Sequence, residues 1–136
     1  MAHADSPRSL VGADMDGDGD VDVLASSQLA DRIVWVENTC TVYPAPTPRP
    51  TERCDEIVFS EKHVVDSSLD SPTGVFAFDV DGDGDTDVLA ASAWAATVAW
   101  YEAVEEGYER HDISDDAYLS IGIVALDFDQ VKCMNH

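Results

Sequence analysis

Basic residues are scarce in this chain: seven lysines and arginines stand against 28 aspartates and glutamates, a formal net charge of −21 over 136 residues. Phosphate-rich partners are repelled by such a surface, which argues against nucleic acid and anionic membranes. No run of about 20 apolar residues is present to insert into a bilayer. The opening "MAHADSPRSL" also lacks the apolar centre of a signal peptide. There are three cysteines, Cys40, Cys54 and Cys133, so one must stay outside any intrachain pair. No stretch carries a convincing helical period, which points to an all-β chain.

What the chain has in excess is aspartate, and it is crowded. "DMDGDGDVD", Asp14 to Asp22, holds five aspartates in nine residues before the apolar "VLAS". Like charges a few ångströms apart raise one another's pKa and oppose compaction, so a cation inside the cluster is the first expectation. The donors are hard carboxylate oxygens that alternate with Met15, Gly17 and Gly19, as a tight loop allows. That set suits Ca²⁺ better than Mg²⁺, which keeps several waters, or zinc and copper, which prefer His and Cys.

The loop recurs 65 residues later as "DVDGDGDTD", Asp79 to Asp87. With that shift "DSP" at Asp5 falls on "DSP" at Asp70, Trp35 on Trp100 and Glu37 on Glu102, and about half of the positions from Asp5 to Glu37 are identical. This is an internal repeat. A third copy starts with a shift of 48, pairing His63 with His111, Gly74 with Gly122 and Asp79 with Asp127. The difference of 17 falls in "NTCTVYPAPTPRPTERCDE", a Pro- and Thr-rich stretch that reads as an inserted loop over 38–56. Cys40 and Cys54 lie near its two ends. In an oxidising compartment a disulfide there would close the insert at its base; otherwise both are free thiols.

Between the aspartate loops, "RIVWVE" and "TVAWYE" are β-branched and aromatic runs bounded by polar residues. The second copy is expected to form four strands near 73–79, 86–92, 96–102 and 108–114. A strand near 9–14 opens the first copy and one near 121–126 the third. The organisation is a first repeat over 5–66 with its insert, a second over 67–114, the start of a third over 115–129 and an unrelated tail over 130–136. Without the insert the unit is 48 residues long, within the roughly 40–50 typical of a propeller blade.

Two blocks in combination, the D-x-D-G-D-G-x-x-D loop running into "DVLAS" or "DVLAAS" and the later "WVEN" or "WYEA" strand, resemble the FG-GAP/VCBS repeats of integrin-α-like β-propellers. The resemblance covers nearly all of the chain outside the insert and the tail. It implies blades of four antiparallel strands, two of them here with the first strand of a third, each holding calcium in the loop between its first two strands. By that resemblance Asp14, Asp16, Asp18 and Asp22 are side-chain ligands and Asp20 offers its carbonyl. In the second loop Asp79, Asp81, Asp83 and Asp87 play the first part and Asp85 the second. An EF-hand would need glutamate at the twelfth position, where this chain has Ala25 and Ala90. The competing plain reading is a solvated acidic run, against which stand the repeat register and the flanking strand signals.

The function implied is a calcium-stabilised recognition or adhesion module that binds protein or glycan outside the cell, where calcium is millimolar, with further blades of a longer chain as neighbours. The alternative is a non-catalytic or partial piece of a secreted propeller enzyme such as a polysaccharide lyase. No Ser-His-Asp arrangement suggests catalysis, and the paired carboxylates are assigned to metal. Trp35 and Trp100 are expected in the core, and His63 and His111, which recur in register, in structural hydrogen bonds.

Overall fold

A computed structural model describes residues 6–41 and 56–117. Among them are eight strands and no helix: β1 (Pro7–Ala13), β2 (Asp22–Ser27), β3 (Arg32–Thr41), β4 (Glu56–Asp66), β5 (Pro72–Phe78), β6 (Asp87–Ser92), β7 (Thr97–Val104) and β8 (Gly107–Ser114). They form two four-stranded antiparallel sheets in simple meander order, β1-β2-β3-β4 and β5-β6-β7-β8. The all-β expectation holds. The four strands expected for the second copy fall within two residues of β5 to β8. Pro7 and Pro72 each open an edge strand, where a missing N–H costs no ladder bond. The expected strand near 121–126, the third aspartate loop and the tail lie outside the described residues.

The two sheets differ most in their last hairpin. Strands β3 and β4 have 10 and 11 residues, against eight each in β7 and β8. Pairing continues through Asn38↔Phe59, Thr39↔Val58, Cys40↔Ile57 and Thr41↔Glu56, so both ends of the stretch read as loop are strand. Ile57, Val58 and Phe59 are β-branched or aromatic and extend the ladder, whereas four prolines, which cannot donate to a ladder, stand between Tyr43 and Thr51. Residues 42–55, and with them any Cys40–Cys54 bond, lie outside the described structure.

One core joins the sheets. Leu24, Ile33 and Trp35 of the first sheet bury themselves with Val75, Val88, Ala90, Ala99 and Tyr101 of the second, closed off by Met15 and Leu69. Each large apolar side chain so buried contributes about 1.5–3 kcal/mol. Polar contacts fix the register of the seam. Tyr101 Oη donates to Asp66 Oδ2, Arg110 Nη1 lies 3.6 Å from the same carboxylate, and Thr86 Oγ1 donates to the Asp14 carbonyl at 2.7 Å. Tyr101 is buried at 1% exposure among Val75, Val88, Ala90 and Ala99, so its hydroxyl needs this partner.

Candidate metal centre

Each aspartate loop connects the first two strands of its sheet: residues 14–21 between β1 and β2, residues 79–86 between β5 and β6. The loops wind by the same hydrogen bonds. Asp14 accepts the amides of Gly17 at 2.8 Å and Gly19 at 3.0 Å, and Asp79 those of Gly82 at 2.7 Å and Gly84 at 3.1 Å. Asp16 accepts from Asp18 N and Asp81 from Asp83 N, both at 3.1 Å. Asp18 accepts from Asp20 N at 2.8 Å, and Asp83 from Asp85 N at 2.9 Å. Glycines at φ of 80° and 96° in the first loop and 80° and 102° in the second make the reversals.

Asp22 and Asp87 close the loops from the strand side. Both are essentially without solvent contact, at 0% and 1% exposure. The Asp22 carboxylate accepts Met15 N and Asn38 N, each at 2.8 Å. Asp87 accepts Val80 N at 3.0 Å and Ala103 N at 2.8 Å. Each thus ties its loop to the third strand of the sheet, β3 or β7. Asn38 was not foreseen as a partner; it also donates through Nδ2 to the Val21 carbonyl at 3.1 Å. Its equivalent in the second repeat is Ala103, because the bond that recurs is made by the main chain.

Carboxylate oxygens of Asp14, Asp16 and Asp18 lie within 4.8 Å of one another, as do those of Asp79, Asp81 and Asp87. The two trios are different subsets of the same four loop positions, one, three, five and nine. The side chains of Asp20 and Asp85 belong to neither trio, and their amides are the donors to Asp18 and Asp83. The charge is felt locally. Desolvation, joined by the charges of Asp18, Asp22 and Glu37, raises the Asp16 pKa despite a bond from the Asp18 amide. At Asp81 the Asp83 amide pulls the pKa down, but desolvation and the charges of Asp83, Asp87 and Glu102 outweigh it, and the net shift is upward. Burial, then the charges of Asp87, Asp22 and Asp16, pushes the Tyr108 phenol up to about 12.

The residues fit a hard divalent cation. The donors are all oxygen, and a carboxylate that takes one N–H per oxygen keeps lone pairs for a metal. Among the described residues no lysine, arginine or histidine pairs with Asp22 or Asp87. Buried charges of that kind are normally paired or bound to metal. Set against protein-family models, curated proteins and solved structures, the chain matches none.

A second repeated grouping was read from the sequence only in part. His111 Nε2 is 2.8 Å from Glu102 Oε2, and His63 Nε2 is 3.6 Å from Glu37 and 4.0 Å from Glu61. The His63 ring stacks on Trp35 at 4.1 Å, and the His111 ring lies tilted against Trp100 at 4.8 Å. Glu61 and Glu109 complete the two groups. Their signal was the 48-residue shift that also relates the histidines. Trp35 is buried as expected, while Trp100 remains half-exposed.

Proposed function

We propose that the chain is a calcium-binding, calcium-stabilised repeat module, its two sheets being FG-GAP/VCBS-like propeller blades, that serves recognition of protein or glycan outside the cell. The carrying observation is the pair of buried carboxylates, Asp22 and Asp87, each placed identically beneath an aspartate loop and, among the described residues, without a cationic side chain paired to it. Calcium supplies the missing positive charge. Asp14, Asp16, Asp18 and Asp22 hold one ion with the Asp20 carbonyl, and Asp79, Asp81, Asp83 and Asp87 the other with the Asp85 carbonyl. The role is structural, for duplicated identical sites brace each repeat equally, and recognition then belongs to the surfaces that the braced sheets present. Calorimetric titration of the folded chain with Ca²⁺ is expected to show two sites of similar affinity, with Mg²⁺ far weaker. A silent calcium titration removes the proposal.

A further inference from the structure

Strand alternation gives every sheet two faces, and the repeat allows the same face to be followed from one sheet to the other. On the first sheet the covered face carries Val11, Leu24, Ile33 and Trp35. On the second sheet the equivalents of those residues are Phe76, Leu89, Val98 and Trp100. They share a face by their pairing, Phe76↔Leu89↔Trp100; none packs into the cluster that joins the sheets, although Leu89 is covered to 9% exposure. Phe76, Val98 and Trp100 are half-exposed and Phe78, further along β5, is 40% exposed.

The opposite faces behave conversely. The second sheet covers Val75, Val88, Ala90, Ala99 and Tyr101, all at 2% exposure or less. Their equivalents in the first sheet are Leu10, Val23, Ala25, Val34 and Val36. These are entirely apolar, with Leu10 68% exposed and the other four half-exposed, and Val64 beside Val34 is 53% exposed. The seam inside the molecule is therefore made by unlike faces. Among the described residues, one copy of each face stays outside the seam.

We infer that these two free faces bind each other between molecules, so that the chain associates head-to-tail with a second copy of itself. The occupied seam specifies the occupant: the surface that covers Leu24, Ile33 and Trp35 is the one whose equivalent stands free on the first sheet. In a solution of this chain, a second copy brings that surface. The new seam would be looser than the existing one, because the Tyr101–Asp66 bond becomes Val36 opposite Ser114. No like charge replaces it. A contact between unlike faces is heterologous and extends beyond a dimer unless its rotation closes a ring.

Sedimentation velocity of the full chain in calcium buffer with moderate salt tests this. Concentration-dependent assembly is expected; a monomer up to the highest soluble concentration overturns the proposal. Leu10→Glu blocks one free face and Phe78→Glu the other, with Val64→Glu and Phe76→Glu as replacements should either fold poorly by far-ultraviolet circular dichroism. Each variant alone is expected to be monomeric, and an equimolar mixture of the two to form a complex of one copy of each. If one variant still self-associates while the other does not, the contact joins like faces and the proposal fails. Failure to form the mixed complex also sinks it. Calcium affinity is measured separately, so the outcome does not depend on the metal reading.

Discussion

Each oxygen of the Asp22 carboxylate accepts one main-chain N–H, from Met15 and from Asn38, inside the protein. Asn in its place offers one acceptor and turns an NH₂ toward a second donor, which leaves a buried N–H unpaired at a cost of about 1–3 kcal/mol. Asp22→Asn and Asp87→Asn are therefore expected to lower stability by that amount even in chelator, and by more in calcium. Asp18 and Asp83 lie exposed on the outer turn of each loop. Their replacement by Ala should lower the melting temperature in calcium and change little in EDTA, and equal effects under both conditions would leave the loops as solvated charge only. Tyr101 tests a different contact. Burial alone would raise the pKa of Asp66, but hydrogen bonds from the Tyr101 hydroxyl and Ser68, with the Arg110 charge, lower it overall. A carboxyl with a depressed folded pKa gives its stability above the ordinary value of about 3.8 and loses it as pH falls through the folded value. Tyr101→Phe should cost about 1–2 kcal/mol at neutral pH, and denaturant melts should show that difference shrinking below about pH 3.8.

At the scale of the elements, the loops depend on backbone as much as on carboxylates. Gly82 sits at φ +80°, and a Cβ added there meets nothing within 4 Å. Gly82→Ala should thus destabilise by about 1–2 kcal/mol through conformation alone, and weaken the second calcium site while leaving the first intact. Titration of that variant giving two unchanged sites would show that the turn is not part of the binding geometry. The strands and both loops were legible because "DVLA" and the Trp strands repeat in register, and β-branched runs between glycines have few other readings. Two things were not legible. Proline and threonine between Asn38 and Glu56 masked the continuation of β3 and β4, since a ladder is extended by its partner strand as well as by its own residues. The period of two also could not say which face is covered: Ile33 and Val98 occupy the same repeat position, yet one is buried and the other half-exposed. Burial there is decided by the neighbouring sheet, which no local pattern encodes.

For the whole molecule the governing quantity is a formal charge of −21 in 136 residues. Self-repulsion of that size opposes the compact state, and it can be relieved in two distinguishable ways. Salt screens it without regard to position, with a Debye length of about 8 Å at physiological ionic strength. Two bound calcium ions would neutralise four charges where carboxylates are closest and, at one hundred times the Kd, would add about 2.7 kcal/mol per site. Thermal melts followed by circular dichroism separate the two. In EDTA, raising sodium chloride should lift the melting temperature gradually. At fixed ionic strength, saturating calcium should raise it by upward of about 10 °C, which is what several kcal/mol produce in a chain of this size, and magnesium by far less. The calcium increment should fall by about half when either Asp83→Ala or Asp18→Ala removes one site, and nearly vanish when both are present. Were magnesium to stabilise as well as calcium, or the double variant to keep the full increment, relief of bulk charge would explain the effect, and the buried Asp22 and Asp87 would need another counter-charge.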